Sequence, residues 1–288
     1  MIGKFEKTIR LALKEDISIG DITTNLFVPS KYKFRGIINA KEAGTLCGID
    51  IAKKTFQIMD SSVKFKTYVN DGASVSKGQR IMTVEGSRKI LTAERTALNF
   101  LQRLSGIATF TSKFARELNK SKTHIYDTRK TTPSLRVFEK YAVKCGGGKN
   151  HRMGLYDAFL IKDNHIAALG ANPYSALEKK IDLIRKEYKG YKIEIEAKTL
   201  SQVEKFIALD VDIIMLDNMT FEQMRKAIKI IRGTKSKRAP EVEISGNVKF
   251  STLRKLSKLS PERISAGSLT HSAPSLDISF NITHYKEV

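Results

Sequence analysis

The chain has 288 residues, 41% of them hydrophobic, and its 51 Lys and Arg against 30 Asp and Glu leave a formal charge of +21. That length suits one large or two modest domains with a substantial core, so a small scaffold stapled by disulfides or a structural metal is excluded. The two cysteines, Cys47 and Cys145, stand far apart in no CxxC or Cys/His spacing, which argues against a disulfide framework or zinc site. This usage fits a reducing compartment, the cytosol by default.

No apolar run reaches the roughly 18 to 20 residues that a membrane-spanning helix needs. The N-terminus, Met1 to Lys14, carries an amphipathic pattern of Ile2, Phe5, Ile9, Leu11 and Leu13 broken by charges, unlike a signal peptide. The lysine excess admits either a polyanionic partner or a solvated surface. Basic residues are dispersed along the sequence, with only short loop-like groups at Lys120/Lys122 and Lys235/Lys237/Arg238. A solvated surface is therefore favoured, and nucleic-acid binding, which concentrates charge on one face, is not expected.

Between Phe34 and Gly86 strand-like segments alternate with glycine turns: Gly36–Ala40, Val63–Val69, the Asp71-Gly72 and Lys77-Gly78 turns, then Arg80–Val84. They predict a small antiparallel sheet. The stretch Asp71 to Gln79 superficially resembles a lipoyl or biotinyl hairpin, but it lacks a lysine at the tip of a tight turn and is read as a plain hairpin. Leu91 to Leu104 is the clearest helix, with Thr92 as N-cap, Glu94 in the first turn and Ala97, Phe100, Leu101 and Leu104 on one face. A second helix is expected to begin after Ser105-Gly106. The opposite face, with Arg95, Asn99, Gln102 and Arg103, either meets solvent or looks into a site.

After Lys122 the texture changes to short β-branched runs, each followed by a helical segment: His124–Tyr126, Ala158–Ile161, Ile193–Ile195, Asp212–Leu216, Val242–Ile244 and Arg263–Ala266. Such alternation means parallel pairing of βα units, in a doubly wound sheet or an α/β barrel. All six runs end in polar or glycine residues: Asp127–Lys130, Lys162–His165, Glu196–Lys198, Asp217-Asn218, Ser245–Asn247 and Gly267–His271. A barrel collects its chemistry at many strand ends and a doubly wound sheet chiefly at its switch point, so six decorated ends favour the barrel. A period of two places Lys192, Glu194, Glu196 and Lys198 on one face of their strand, and that charged row is expected to face the barrel interior.

The residues gathered at these ends are mostly cations, Arg129, Lys130, His151, Arg152 and Lys162, with the carboxylates Glu196 and Asp217 and glycines near 246 and 267. This constitution suits an anion carrying a metal. Guanidinium forks bind carboxylate or phosphate at two points, glycine turns offer backbone N–H groups to phosphate, and paired carboxylates hold Mg²⁺. A glycosidase-like use of Glu196 and Asp217 would leave five cations idle. The loop Lys144 to Arg152 is neither a Walker A pattern nor GxGxxG after a strand, and no Gly-x-Ser-x-Gly elbow occurs. His151 and His165 have no helical partner His and are not read as a metal pair.

As a set, these motifs resemble the quinolinate phosphoribosyltransferases, the carboxylating nicotinate-nucleotide pyrophosphorylases. The segments that carry the resemblance are Glu15-Asp16 with Gly20–Thr23, Glu94–Asn99, Leu104–Thr109, Asp127–Thr131, Tyr141–Val143 with Gly146–Gly148 and Asn150–Arg152, Leu160–His165, Leu216–Asn218 and Ile244–Asn247, spanning about residues 10 to 280. The resemblance implies an α/β fold with an N-terminal α/β sandwich over residues 1–110 and an incomplete, seven-stranded, TIM-like α/β barrel over 111–272. The tail 273–288 is a candidate for packing on the first domain. Six strands are visible in the sequence, which leaves one to be found. A homodimer is implied, with each active site completed by the neighbouring subunit.

The implied reaction joins quinolinate to phosphoribosyl pyrophosphate with Mg²⁺, giving nicotinate mononucleotide, pyrophosphate and CO₂, a step of NAD synthesis. By resemblance, Arg129, His151, Arg152 and Lys162 hold the quinolinate carboxylates, with Arg95 reaching in from the other subunit. Lys130 contacts phosphoribosyl pyrophosphate, and Glu196 and Asp217 contact the ribose hydroxyls and the metal. Ser245, Gly246, Asn247, Gly267 and Ser268, with His271, take the phosphates. Lys130, Lys162, Glu196 and Asp217 form the implied catalytic set, and Cys145 has no role. Relatives associated with molybdenum transport share the glycine triplet and the Arg-Lys-Thr segment, but the Asp127–Lys130 and Lys162–His165 versions here favour quinolinate. Neither nucleic acid nor membrane is an expected partner.

Overall fold

The computed structural model describes residues 3–234 and 239–287, so that Ile2, Lys235, Lys237 and Arg238 lie outside the described residues. In chain order the elements are α1 (Gly3–Ile17), α2 (Ile22–Phe27), β1 (Tyr32–Ala40), β2 (Gly44–Thr45), α3 (Ile49–Met59), β3 (Lys64–Thr67), β4 (Ser74–Val75), β5 (Arg80–Ser87) and α4 (Lys89–Leu118). There follow β6 (His124–Tyr126), α5 (Arg136–Cys145), β7 (Phe159–Ile161), α6 (Asp163–Ala167), α7 (Pro173–Glu187), β8 (Ile193–Ala197), α8 (Leu200–Phe206) and β9 (Ile213–Asp217). The chain ends with α9 (Phe221–Arg232), β10 (Glu241–Ser245), α10 (Phe250–Ser257), β11 (Arg263–Ser265), α11 (Ser268–His271) and β12 (Ile278–Glu287). Two compact units emerge, one of residues 1–113, 130–148 and 268–288, the other of 114–129 and 149–267. The boundary expected after residue 110 falls inside α4.

The first unit is built on an antiparallel sheet of order β12-β1-β5-β3. In α1 the apolar spacing puts Phe5, Ile9 and Leu13 in the core, while Leu11, off that face, is exposed. The aromatic contacts Phe5–Phe138 and Phe100–Phe138, with ring centroids 4.6 and 5.2 Å apart, bind α1, α4 and α5 together. The tail residues of β12 pair along the whole of β1.

Two local readings of the sequence are corrected. Asp71 to Gln79 is not a hairpin: β4 pairs with β2 and β3 with β5, and the Gly72 and Gly78 N–H groups donate across to Leu46 O and Ala40 O. The alternation of polar and small residues there cannot distinguish a strand paired locally from one paired with a distant partner. Second, α4 runs without a break through Ser105-Gly106, and Thr92 lies inside it, its hydroxyl donating to Asp21 Oδ2 at 2.9 Å. Gly106 marks a close approach: a Cβ would overlap Pro274 O and stand 2.8 Å from Ser275 Cα. The polar face of α4 is partly occupied in the same way, since Gln102 donates to Ile278 O at 2.8 Å and Arg103 to the carbonyls of Ala273 and Thr270. Arg95 and Asn99 on that face are exposed.

In the second unit all six strands predicted from the sequence form one parallel sheet, of order β6-β11-β10-β9-β8-β7. Successive strands are neighbours and β11 returns to β6, as in an α/β barrel open between β6 and β7. Lys149 lies beside β6 through a single parallel bridge to Tyr126, its N–H donating to Ile125 O and its carbonyl accepting from Asp127 N–H. This one-bridge segment takes the seventh place. Its sequence, between three glycines and Asn150-His151, has no apolar run to announce a strand. The charged row of β8 turns inward in its middle, where Glu194 and Glu196 are buried. The lysines dispersed in sequence are partly gathered in space: a cavity of about 940 Å³ at the N-terminal edge of this sheet is lined by Arg116, Lys120, Lys122, Arg232, Arg254 and Lys258.

Alanine in place of glycine inside a helix ordinarily gains up to about 1 kcal/mol. Gly106→Ala is expected to do the opposite and lower stability by about 1–3 kcal/mol, the cost of overpacking, in guanidinium unfolding.

Candidate active site

Four of the six sheet strands deliver candidate residues at or directly after their C-terminal ends, and β11 and β6 do so two and three residues on. Arg129 follows β6, Lys162 follows β7, Glu196 lies in β8, Asp217 and Ser245 close β9 and β10, and Gly267 follows β11. Parallel strands point the same way, so these ends share one edge of the sheet. Gly246 and Asn247 continue from β10 with φ of +91° and +48°, and Asn218 after β9 has φ +54°. A Cβ on Gly246 would stand 2.8 Å from the Asn218 backbone N and overlap its side-chain amide, so only glycine lets the two strand ends approach. Asn218 ties them together, its N–H donating to Ser245 O at 3.1 Å and its Nδ2 to Asp217 Oδ2 at 2.9 Å, while its Oδ1 accepts from Asn247 Nδ2 at 3.2 Å.

Lys162 and Glu196 form a cross-strand ion pair at this edge, Nζ to Oε2 2.6 Å, with Lys198 Nζ 4.0 Å from Glu196 Oε1. Lys198 is itself paired to Asp163. Arg152 reaches Ala158 O with Nη1 at 3.2 Å. Its burial, and then the positive charge of Arg129, pull its guanidinium below the ordinary range, which places two cations within each other's field.

His151 is turned inward. Its Nε2 lies 3.0 Å from Glu194 Oε2 and 3.5 Å from Glu243 Oε1, its N–H donates to Asp127 Oδ1 at 2.8 Å, and its Nδ1 accepts the Arg152 N–H at 2.8 Å. Arg263 closes the group, Nε 2.8 Å from Glu243 Oε2, with its guanidinium over the Tyr126 ring. Burial pushes the Glu194 carboxyl up, and the charge of Glu243 adds to that. Glu243 suffers the same desolvation but is drawn below its ordinary value by His151 and Arg263. Burial opposes the imidazolium and the bond from Arg152 N–H favours the neutral ring. Two carboxylates in a water-poor interior outweigh both, and the His151 pKa rises to about 9.

Glu194, Glu243, Asp127 and Arg263 support the edge without having been singled out individually for it in the sequence. A signal existed: a glutamate inside the apolar run Val242-Glu-Ile244 has nowhere to go but the barrel interior, where it needs a cation. The remaining candidates, Arg95, Lys130, Ser268 and His271, belong to the first unit. There Lys130 O accepts from Thr270 Oγ1 at 2.7 Å and His271 Nδ1 meets Ser272 Oγ at 2.7 Å. His165, exposed, accepts the Lys162 N–H at 3.0 Å.

Because the His151 pKa is raised from 6.5 to about 9 by folding, its contribution to stability is complete below pH 6.5 and is lost as pH climbs through 9. Stability is therefore expected to fall over that window. Glu243→Gln, which removes one of the opposing charges of a buried group, should cost about 3 kcal/mol at pH 6.5 and flatten the slope in guanidinium titrations at the two pH values.

The chain matches the family models for the quinolinate phosphoribosyl transferase N-terminal domain over residues 21–105 and C-terminal domain over residues 107–281. A probable nicotinate-nucleotide pyrophosphorylase [carboxylating] of Methanocaldococcus jannaschii is 40% identical over 288 residues, covering 97% of this chain and 98% of that one. A mitochondrial quinolinate phosphoribosyltransferase [decarboxylating] of Nicotiana tabacum is 37% identical over 96% of this chain and 82% of its own. The crystal structure of NadC from Streptococcus pyogenes superposes with a TM-score of 0.90 at 39% identity, covering 100% of this chain and 98% of that one. With both of the family's domains matched in order along nearly the whole length, the chain belongs to the quinolinate phosphoribosyltransferase family.

Proposed function

We propose that this protein is the carboxylating enzyme of that family, transferring phosphoribosyl from phosphoribosyl pyrophosphate to quinolinate and releasing pyrophosphate and CO₂ to leave nicotinate mononucleotide. The observation that carries the reading is the pair of guanidiniums, Arg129 and Arg152, held within each other's field at a strand edge that also presents Lys162. Guanidinium forks bind carboxylates at two points, and a pyridine bearing two adjacent carboxylates is matched to a pair of such forks with a lysine beside them. Both substrates are polyanions, so the same cations raise their local concentration.

The protein's part is to bind and orient. Arg129, Arg152 and Lys162 would take the two carboxylates, with the buried His151 setting the loop from which Arg152 projects. The backbone N–H groups around Ser245, Gly246, Asn247 and Gly267, helped by Ser268 and His271, would take phosphates, the left-handed backbone at Gly246 and Asn247 turning successive N–H groups to one side. Lys130 would reach the pyrophosphate and Glu196 and Asp217 the ribose hydroxyls. Glu196 and Asp217, hard oxygen donors at neighbouring strand ends, suit Mg²⁺, which would share Glu196 with Lys162 at 2.6 Å from Oε2 and Lys198 at 4.0 Å from Oε1. When bound, Mg²⁺ would neutralise charge on the departing pyrophosphate.

The pyridine nitrogen then meets C1 of the ribose in line with the leaving group, and the residues supply position and field with no protein base. The resulting pyridinium charge eases loss of the adjacent 2-carboxylate. Cations that grip the 3-carboxylate without overstabilising the other accelerate that step, since only differential binding does so. We place the reaction in the cytosol and in a homodimer, Arg95 on the exposed face of α4 serving the neighbour's site; among the described residues no helix is long and apolar enough to cross a membrane.

Purified protein given quinolinate, phosphoribosyl pyrophosphate and Mg²⁺ is expected to release nicotinate mononucleotide and CO₂ in equal amounts, and none from nicotinic acid; a folded protein that turns over neither overturns the assignment. Arg129→Lys should lose about 10- to 100-fold in kcat/KM, the worth of one charged hydrogen bond, while Lys64→Arg on the exposed β3 changes nothing. Mixed subunits of inactive Arg95→Ala and Arg129→Ala should recover part of the activity, and no recovery after verified exchange would remove the shared site.

A further inference from the structure

In the first unit, away from every residue given a role above, Cys47 and Cys145 come together beside Asp71. The two Sγ atoms and a carboxylate oxygen of Asp71 all lie within 4.8 Å of one another. Cys47 is buried and pinned by its backbone, its N–H donating to Ser105 Oγ at 3.0 Å and its carbonyl accepting from the same hydroxyl at 3.2 Å. Cys145, the last residue of α5, is partly exposed. The helix end is held as well: a Cβ on Gly146 would stand 2.7 Å from Thr111 Cβ in α4. Two thiols on separately anchored backbones thus face each other with their Sγ atoms within 4.8 Å.

Two chemistries suit such a cluster, a metal and a disulfide. Asp71 decides between them. Its Oδ1 accepts the N–H groups of Gly48 and Ile49, each at 3.0 Å, and its Oδ2 accepts from Gly48 N–H at 3.0 Å and Tyr141 O–H at 2.7 Å. Burial and Asp71 itself keep the Tyr141 phenol protonated and donating. A carboxylate with its lone pairs committed to three N–H···O contacts and one O–H···O bond has no place left for a metal, which leaves the sulfur pair.

We propose that Cys47 and Cys145 form a reversible intramolecular disulfide on exposure to a two-electron oxidant such as hydrogen peroxide. The Cys145 thiolate attacks one peroxide oxygen, breaking the O–O bond to give a sulfenic acid and hydroxide, which the thiol proton converts to water. The Cys47 sulfur then attacks the sulfenic sulfur, forming the S–S bond and expelling the second water. Two thiols lose two electrons and two protons, and the peroxide gains both. The order follows from the surroundings: the contact from Cys47 lowers the Cys145 thiol, whereas burial holds the Cys47 thiol protonated until a partner arrives.

The test treats the full-length protein with a modest excess of hydrogen peroxide and maps the alkylated peptides without reduction. The expected product is a monomer two hydrogens lighter, with neither cysteine alkylated after unfolding, the Cys47 and Cys145 peptides joined, and both thiols restored by dithiothreitol. In Cys47→Ser a Cys145 sulfenic acid should persist and take up dimedone, and in Cys145→Ser the Cys47 thiol should survive the treatment. Cys145 oxidised to sulfinic acid with Cys47 still alkylatable, disulfides only between chains, or Cys47 oxidised equally fast without Cys145 would each overturn the proposal. The mapping of the unmutated protein decides the matter even if a variant fails to fold.

Discussion

Two glutamates buried in one barrel impose the constraint on which the strand-end edge depends. Glu243 has no exposed surface and Glu194 almost none, and both project into the interior of a parallel sheet. Unpaired charges there would cost several kcal/mol each. Arg263, reaching from β11, and His151, reaching from the loop before β7, supply the opposite charge. Because the imidazole must stay inside, the backbone beside it is fixed, with Asp127 Oδ1 accepting the His151 backbone N–H at 2.8 Å. The position of a surface guanidinium is thereby set from below, by charge neutralisation in the core.

Above that interior the strand ends are brought together by small, specific contacts. Asn218 in a left-handed conformation links β9 to β10, and the missing Cβ of Gly246 lets it do so. Preorganisation of this kind matters for a reaction whose catalysis is mostly positioning and field, since groups already in place need not be reorganised as charge develops. The Lys162–Glu196 pair belongs to the same scheme: it holds a cation and a carboxylate at the opening, each satisfied by the other.

The first unit reaches its own order by close packing. The chain before β12 lies against α4 at Gly106 and is held there by Arg103 through Ala273 O, while Gln102 donates to Ile278 O at the start of β12. Arg103 also meets the buried Glu139 of α5 at 2.8 Å, so that α4, α5 and the C-terminal chain share one ion-pair network. Here polar residues on a helix face act as ties between backbone segments.

Much was legible in the amino-acid order alone. The six parallel strands follow from short β-branched runs separated by helical spacing, and their polar ends from the abrupt change of residue type at Asp127, Lys162, Glu196, Asp217, Ser245 and Gly267. These signals are local and need no partner to be read. The seventh place at Lys149, the packing of α4 at Gly106 and the pairing of β4 with β2 were not legible, because each depends on a segment distant in sequence: one bridge to β6, a backbone pressed on that glycine, a strand thirty residues earlier. The same holds for the inward turn of His151 and for the meeting of Cys47 with Cys145. The sequence by itself determined which residue types stand at each strand end and hence the chemistry available. Only the tertiary structure decided which of them face one another, because burial and the neutralisation of buried charge are properties of the assembled core.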